Sequence, residues 1–237
     1  MKQSKALLIV LYAFALICIV YCKNAPEKES MQPYEGYPLL DNPDSIKQEL
    51  SSRCLDKIKF KNGQVIADIG AGNGYLEGML SLYSDSLTFY IQDIDISICN
   101  QAAVNKVADF YKNLKNKPFN NKFIAVNGTD STTNLPDNTC DKILMIYTYQ
   151  YIKNPKGFIR DVRKKLKDDG IFYVINPQYG DYNDLDRQRK EYGWNASPLE
   201  NEITDIIDSG FELIEISRKV TDGSCSDPYI MIFKKRN

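Results

Sequence analysis

A short apolar segment that runs straight into alternating glycines limits the possible folds of this chain more than any other feature. The segment is VIADIGAGNGY, residues 65–75. Val65–Ile69 has the pattern of a buried strand, and the pattern from Tyr75 onward is that of a helix. This order places backbone without Cβ atoms at the carboxyl end of a strand, where open α/β sheets bind their ligands.

Strand and helix patterns alternate along the rest of the chain. Apolar runs predict further strands at Leu87–Gln92, Lys122–Val126, Lys142–Ile146, Ile171–Ile175, Glu212–Ser217 and Tyr229–Lys234. Amphipathic patterns and caps predict helices over 46–58, 75–82, 97–114, 155–167, 184–192 and 199–209. This alternation predicts an α/β fold: a Rossmann-like, doubly wound, mostly parallel seven-stranded sheet with an antiparallel last strand. The last two strands are expected to pair at one edge.

Composition excludes several classes of function. The 237 residues carry 30 Lys and Arg against 31 Asp and Glu, so broad binding to a nucleic acid backbone is not expected. The chain contains no histidine, which excludes Ser–His and Cys–His nucleophilic pairs and histidine zinc sites. Cys54, Cys99, Cys140 and Cys225 show no CxxC spacing, so no metal site is predicted; free thiols and two disulfides both stay open.

The N-terminal residues have the pattern of a membrane-targeting segment. Residues 6–22 read ALLIVLYAFALICIVYC behind Lys2 and Lys5. A run of 17 is at the lower limit for a membrane-spanning helix and slightly long for a signal peptide. A lipoprotein junction at Cys22, an uncleaved anchor and a secreted form remain open. We therefore expect membrane association through residues 1–22, a tether over 23–43 and one domain over 44–237, with the side of the membrane undecided.

The glycine spacing distinguishes among nucleotide-binding turns. Neither Gly70 nor Gly72 begins a Gly-x-Gly-x-x-Gly fingerprint, because Tyr75 and Glu77 occupy the final positions. No Gly-Lys-Ser/Thr follows, so a P-loop is excluded as well. Asp68, two residues before the first glycine, suits a ligand that carries a positive charge.

The segment VIADIGAGNGYLEGML resembles motif I of the class I S-adenosylmethionine-dependent methyltransferases. The resemblance continues through IQDIDISICNQA, GTDSTTNLPDNTCDKILMIYTYQYI and LKDDGIFYVINP, in the family's order, and covers about residues 46–235. It implies S-adenosylmethionine as the cofactor. The implied binding residues are Asp68, Gly70, Ala71, Gly72, Gly74, Asp93, Ile94, Asp130 and Tyr147.

Two acidic residues have specific implied roles. Asp93 matches the acid that accepts hydrogen bonds from the ribose hydroxyls, with Asp95 as the alternative. Asp130 matches the residue that meets the adenine amino group, whereas Asp141 only opens a strand.

The catalytic residues and the methyl acceptor are not specified. Tyr149-Gln150-Tyr151 stands where close relatives often carry Tyr-His-His, so no histidine base is carried over. Tyr147, Tyr149 and Tyr151 are candidates to line the methyl pocket. Aromatic residues could form a substrate lid and a second wall of the site, namely Tyr179, Tyr182, Tyr192 and Trp194 for the lid and 34–37 for the wall.

Two functions follow from these patterns. The first is a methyltransferase that acts on a small molecule or a protein side chain. The second is an inactive, membrane-tethered binding or scaffold domain, because the leader favours export whereas the family's cofactor is made and used in the cytosol.

Overall fold

The computed structural model describes residues 38–115, 117–177, 190, 198–218 and 228–236. Its strands form one seven-stranded sheet in the order β3-β2-β1-β4-β5-β7-β6. They are β1 Val65–Ile69, β2 Thr88–Asp93, β3 Lys122–Asn127, β4 Cys140–Ile146, β5 Leu166–Pro177, β6 Phe211–Arg218 and β7 Pro228–Lys235.

The sheet confirms the predicted fold class. Strands β1 to β5 pair in parallel, and β7 is antiparallel to both of its neighbours. The last two strands pair at one edge as expected. The last strand, however, inserts between β5 and β6, so β6 forms the edge.

Helices cover both faces of the sheet. In the described part of the chain they are α1 Pro43–Ser52, α2 Tyr75–Ser81, α3 Gln101–Lys115, α4 Pro155–Lys165 and α5 Leu199–Asp208. Helices α1 to α3 pack on one face, where side chains such as Ile46, Met79 and Phe89 form one core. Helices α4 and α5 pack on the other face, where Ile159, Ile206 and Phe172 belong to a second core.

Several predicted elements differ from the structure in their bounds; the helix predicted over 97–114, for example, starts at Gln101. The helix predicted over 46–58 ends at Ser52, because Cys54 adopts a left-handed conformation (φ 57°) before a 3-10 turn at Leu55–Lys57. Helix α4 ends at Lys165 rather than Lys167, because Leu166 is already extended. Strand β5 therefore starts at Leu166 rather than Ile171.

The start of the described chain already belongs to the core. Leu39 and Leu40 pack against the α1–α3 face, and the Leu40 N–H donates a hydrogen bond to the Tyr111 hydroxyl at 3.3 Å. Cys99 and Cys140 are buried free thiols, which excludes two disulfides among the four cysteines; Cys54 is buried, and Cys225 lies outside the described residues. None of the helices described is long and apolar enough to cross a membrane. The expected leader over 1–22 also lies outside the described residues.

Candidate cofactor site

The direction of strand order reverses between β1 and β4, and at such a reversal a doubly wound sheet forms a ligand crevice at the carboxyl ends of its strands. Strand β1 lies between β2 and β4, and all three run parallel. The glycine turn follows β1 at this edge, and Tyr147 and Thr148 follow β4. A doubly wound sheet binds its ligand at such a reversal.

The glycines of the turn have conformations that other residues rarely adopt. Gly70, Gly72 and Gly74 have φ angles of 77°, 58° and 81°. A Cβ on Gly70 would overlap the Thr148 side chain, and one on Gly74 would lie 3.1 Å from Ile91. The missing Cβ at Gly70 therefore lets the ends of β1 and β4 approach each other closely.

Asp93 connects the glycine turn to the end of β2. Its Oδ2 accepts a hydrogen bond from the Gly72 N–H at 2.9 Å, and its Oδ1 accepts one from the Asp95 N–H at 3.0 Å. Each carboxylate oxygen has two lone pairs, so acceptor capacity remains for two vicinal hydroxyls. Asp95 instead accepts from the N–H and hydroxyl of Ser97 at 2.8 and 2.6 Å and orders the turn before α3.

Two buried carboxyl groups lie beneath the glycine turn. Asp68 is 2% exposed, and Glu77 in the first turn of α2 is fully buried. Burial raises the pKa of Asp68 well above its ordinary value, and the charges of Glu77 and Asp93 raise it further. Burial also raises the pKa of Glu77. An acid inside an apolar helix is the sequence signal that could have revealed Glu77.

Buried acceptors without donors collect at this edge of the sheet. Within the described residues, six residues have buried side-chain oxygens that accept no hydrogen bond: Asp68, Asn73, Glu77, Gln92, Gln150 and Asn176. All six lie near the carboxyl end of β1, β2, β4 or β5 or in the glycine turn and α2 that follow β1. Buried polar groups are normally hydrogen-bonded, so a cluster of orphaned acceptors indicates a ligand that brings donors or positive charge.

Ile94 and Asp130 lie at the surface. Ile94 is 58% exposed directly after Asp93, so its apolar side chain is available to a ligand. Asp130 follows β3 in an exposed loop, where its Oδ2 pairs with Lys153 Nζ at 2.6 Å. A role for Asp130 toward adenine, which stays a prediction, requires that this ion pair open.

Helix α1 contributes side chains that the sequence analysis did not place at the site. Glu49 Oε1 accepts from Arg53 Nε at 2.8 Å and from the Tyr75 hydroxyl at 3.2 Å. The Arg53 guanidinium lies over the Tyr147 ring at 4.9 Å and near the Tyr75 ring at 5.8 Å. Tyr147 itself has a positive φ of 55°, an unfavourable conformation for a tyrosine. The i,i+4 spacing of Glu49 and Arg53 is the sequence signal that could have revealed the pair.

The three tyrosines do not line one pocket, which corrects the expectation from their alternation. A 3-10 turn at Tyr149–Tyr151 replaces the extended backbone that alternation assumed. Tyr149 is fully buried in the α4–α5 core and donates to Asp205 Oδ2 at 3.1 Å, whereas Tyr151 is 54% exposed. Tyr147 contacts a group beside the glycine turn, because the Arg53 guanidinium lies over its ring.

Asp141 has a structural position, as the sequence suggested. It lies at the amino end of β4, where its Oδ2 accepts from the Val65 N–H at 2.7 Å and its Oδ1 pairs with Lys167 Nζ at 2.8 Å. The expected lid residues, Tyr179, Tyr182, Tyr192 and Trp194, and the expected wall at 34–37 lie outside the described residues.

Comparison with known proteins identifies the family. The family model described as "Methyltransferase domain" matches residues 43–209, more than half of the chain. The chain belongs to this methyltransferase family. This result agrees with the motif I resemblance. A search of curated proteins finds no match to the methyltransferase chain.

Solved structures share the fold of this methyltransferase at low sequence identity. A SAM-dependent methyltransferase from Aquifex aeolicus is 17% identical with a TM-score of 0.54; the alignment covers 81% of this chain and 97% of that one. A SAM-dependent methyltransferase from Methanosarcina mazei is 17% identical with a TM-score of 0.55, covering 77% and 97%. Haemonchus contortus phosphoethanolamine N-methyltransferase 2, in complex with S-adenosyl-L-methionine, is 12% identical with a TM-score of 0.56, covering 81% and 53%.

S-adenosylmethionine is the cofactor of this family, and the residues at the crevice fit it. Its donors are an ammonium group, two ribose hydroxyls and the adenine amino group, and its sulfonium carries a second positive charge. The orphaned Asp68 oxygen and the open lone pairs of Asp93 are acceptors for such groups. The glycine turn admits the close approach of a nucleoside.

Proposed function

We propose that this chain is an active S-adenosylmethionine-dependent methyltransferase that acts on a small molecule or a protein side chain. The observation that carries the proposal is the convergence of orphaned buried acceptors at the carboxyl edge of β1, β2, β4 and β5. In a protein that no longer bound a ligand at this edge, apolar residues at these positions would be more stable. Unsatisfied buried acceptors each destabilise the fold by about 1–3 kcal/mol.

The chain's own residues would bind and orient the reactants. In this proposal Asp93 holds the ribose hydroxyls, Asp68 faces the cationic end of the cofactor and Ile94 covers the base. The cofactor supplies a methyl group already activated by a sulfonium. Transfer therefore depends on alignment and exclusion of water more than on a base, in keeping with a chain that lacks histidine.

Calorimetric titration of the full-length chain in detergent with S-adenosylmethionine and its demethylated product tests this proposal. Asp93→Ala is expected to weaken binding by about 1.5–3 kcal/mol, roughly 10- to 150-fold, because hydrogen bonds to a charged group are lost. Asp95→Ala is the matched control and is expected to leave the affinity unchanged. Loss of binding in the control alone would favour Asp95 as the ribose residue.

A folded wild-type chain that binds neither compound would contradict the enzyme proposal and favour the scaffold alternative.

We also propose that residues 1–22 attach the domain to a membrane. The support for this second proposal is the 17-residue apolar run at 6–22.

A further inference from the structure

Helix α2 places a carboxyl group where a short buried helix would normally carry an apolar side chain. Every residue from Tyr75 to Ser81 is buried, and Glu77 is fully buried. In the part of the chain that the structure describes, both Glu77 carboxyl oxygens lack a hydrogen-bond donor, and so does Asp68 Oδ1. Among the described residues, neither carboxyl group has a basic partner within ion-pair distance.

The surroundings of Glu77 add negative charge. Asp68 interacts with it from β1, and the charge of Asp93, at the end of β2, acts on Asp68. Cys99, which precedes α3, also interacts with Glu77 and Asp93; burial and these charges raise the pKa of its thiol to about 11. From α3, Tyr111 packs against Gly78.

The cation that α1 brings to this side is already engaged. Arg53 pairs with Glu49 at 2.8 Å, and its guanidinium lies 5.8 Å from the Tyr75 ring centroid. The C-terminal end of α1 therefore supplies an ion pair beside Tyr75 rather than a counter-ion for Asp68 and Glu77.

Two buried carboxyl groups in contact cannot both be ionised without a cation. The stable arrangement is one shared proton, with one group donating a hydrogen bond to the other. Burial raises the pKa of both Asp68 and Glu77, in agreement with a pair that retains this proton. An apolar residue at 77 would avoid this cost, so the second carboxyl group calls for a functional reason.

We propose that Glu77 is a positioning residue for the cofactor: it shares one proton with Asp68 in the free protein, and that proton leaves for solvent when the ammonium group of S-adenosylmethionine binds. The carboxyl O–H bond of the pair breaks, its proton passes to water and a second carboxylate remains, whereas the ammonium keeps its own protons and donates to Asp68. This inference rests on the proposed function. Glu77 acts through Asp68 rather than by touching the ligand.

Proton release makes the affinity for the cofactor depend on pH. Where the free pair holds its proton, each unit rise in pH strengthens binding by up to about tenfold, because binding releases up to one proton. The dependence flattens at higher pH, once the free pair has lost the proton. The ligand's own amino group also titrates, but its contribution is common to all protein variants and cancels between them.

The test counts protons released when S-adenosylmethionine binds. The full-length chain in detergent is titrated calorimetrically between about pH 6 and pH 8.5, in buffers with different ionisation heats. Wild type is expected to release up to one proton more than Glu77→Gln at the acidic end, since the glutamine amide can donate to an ionised Asp68 without a shared proton. Glu202→Gln, a matched change at another buried glutamate, is expected to release protons as wild type does.

The outcomes separate the inference from the proposed function. Equal proton release and equal pH slopes in wild type and Glu77→Gln, with binding retained, would overturn the role of Glu77 and leave the cofactor site standing. No binding by any folded variant would overturn both.

A second measurement does not depend on the folding of Glu77→Gln. Carbon-13 NMR of the carboxyl groups in the wild type is expected to show a group that is protonated in the free protein and ionised after the demethylated product binds. Unchanged carboxyl titration on binding would contradict the proposal.

Discussion

Gly70 meets two separate constraints, one from its own backbone and one from its neighbour. Its φ of 77° disfavours any residue with a Cβ, and that Cβ would also overlap Thr148 after β4. Gly63, before β1, has a φ of 84°, but no atom of the described residues lies within 4 Å of the place where its Cβ would be. A comparison of substitutions at Gly63 and Gly70 therefore separates the cost of backbone strain from the cost of steric overlap with Thr148.

Gly63→Ala and Gly70→Ala are expected to differ in both stability and binding. Gly63→Ala should lower the free energy of unfolding by about 1–2 kcal/mol, the cost of the left-handed conformation. Gly70→Ala should lower it by about 2–5 kcal/mol, because overpacking adds about 1–3 kcal/mol, and should weaken cofactor binding at least tenfold. Urea unfolding and calorimetric titration measure the two effects. Equal decreases in the free energy of unfolding of both variants would mean that the Thr148 side chain moves aside at no energetic cost.

Helix α5 joins the sheet through a buried polar network rather than through apolar packing alone. Glu202 Oε2 accepts from Asn176 Nδ2 of β5 at 3.0 Å and from the Tyr229 hydroxyl of β7 at 2.6 Å. Burial raises the pKa of Glu202 to about 7 even though both hydrogen bonds favour the ionised form. The contact between these three elements therefore contains a carboxyl group that titrates near neutral pH.

The titration of Glu202 in α5 is expected to lower the free energy of unfolding as the pH rises. The folded protein keeps a proton on Glu202 that the unfolded chain releases near pH 4.5, so the free energy of unfolding decreases between about pH 4.5 and pH 7. The loss is on the order of 3 kcal/mol, from about 1.4 kcal/mol per unit of pKa difference.

Glu202→Gln should remove this loss. In urea unfolding experiments, the free energy of unfolding of the variant minus that of wild type is expected to be higher at pH 8 than at pH 5 by about that amount. These two values lie roughly at the limits of the titration. Glu200→Gln, at an exposed position in the same helix, is the control and should show no such gain. A constant difference between Glu202→Gln and wild type across this range would contradict the titration of Glu202.

At the scale of the whole molecule, the proposed leader and the cofactor indicate different compartments. Residues 6–22 favour membrane association, and Lys2 and Lys5 before them weakly favour an N-terminus inside and a domain outside. The cofactor of the family is used in the cytosol. The location of the domain therefore decides whether a methyl donor reaches the crevice.

The full-length chain is expected in the membrane fraction, and a chain without residues 1–22 in the soluble fraction. The physical reason is the transfer of 17 mostly apolar residues out of water. A reporter fused after Asn237, active on only one side of the membrane, is expected to report the outside. A cytosolic signal would reverse this topology and remove the conflict with the compartment of the cofactor. Equal solubility of the two chains would contradict membrane attachment.

The local sequence was sufficient to predict most of the elements. Apolar runs bounded by turn residues predicted β1 to β4 to within two residues, because buried parallel strands need continuous apolar segments. Asn154 and Pro155 predicted the start of α4, where the Asn154 side chain accepts from the Gly157 N–H at 3.2 Å. The end of α1 was not predictable, because the left-handed conformation of Cys54 has no signal in a cysteine.

By itself the sequence determined the strand–glycine–helix unit, the positions of Asp68 and Asp93 near the ends of β1 and β2, and the family. These features depend on neighbouring residues and on spacing. Only the tertiary structure decided which distant groups meet: Glu77 beneath Asp68, Thr148 against Gly70, Arg53 over Tyr147, and β7 between β5 and β6. Such contacts depend on strand order and helix packing, which bring together residues far apart in the chain. Local periodicity does not encode which of them become neighbours.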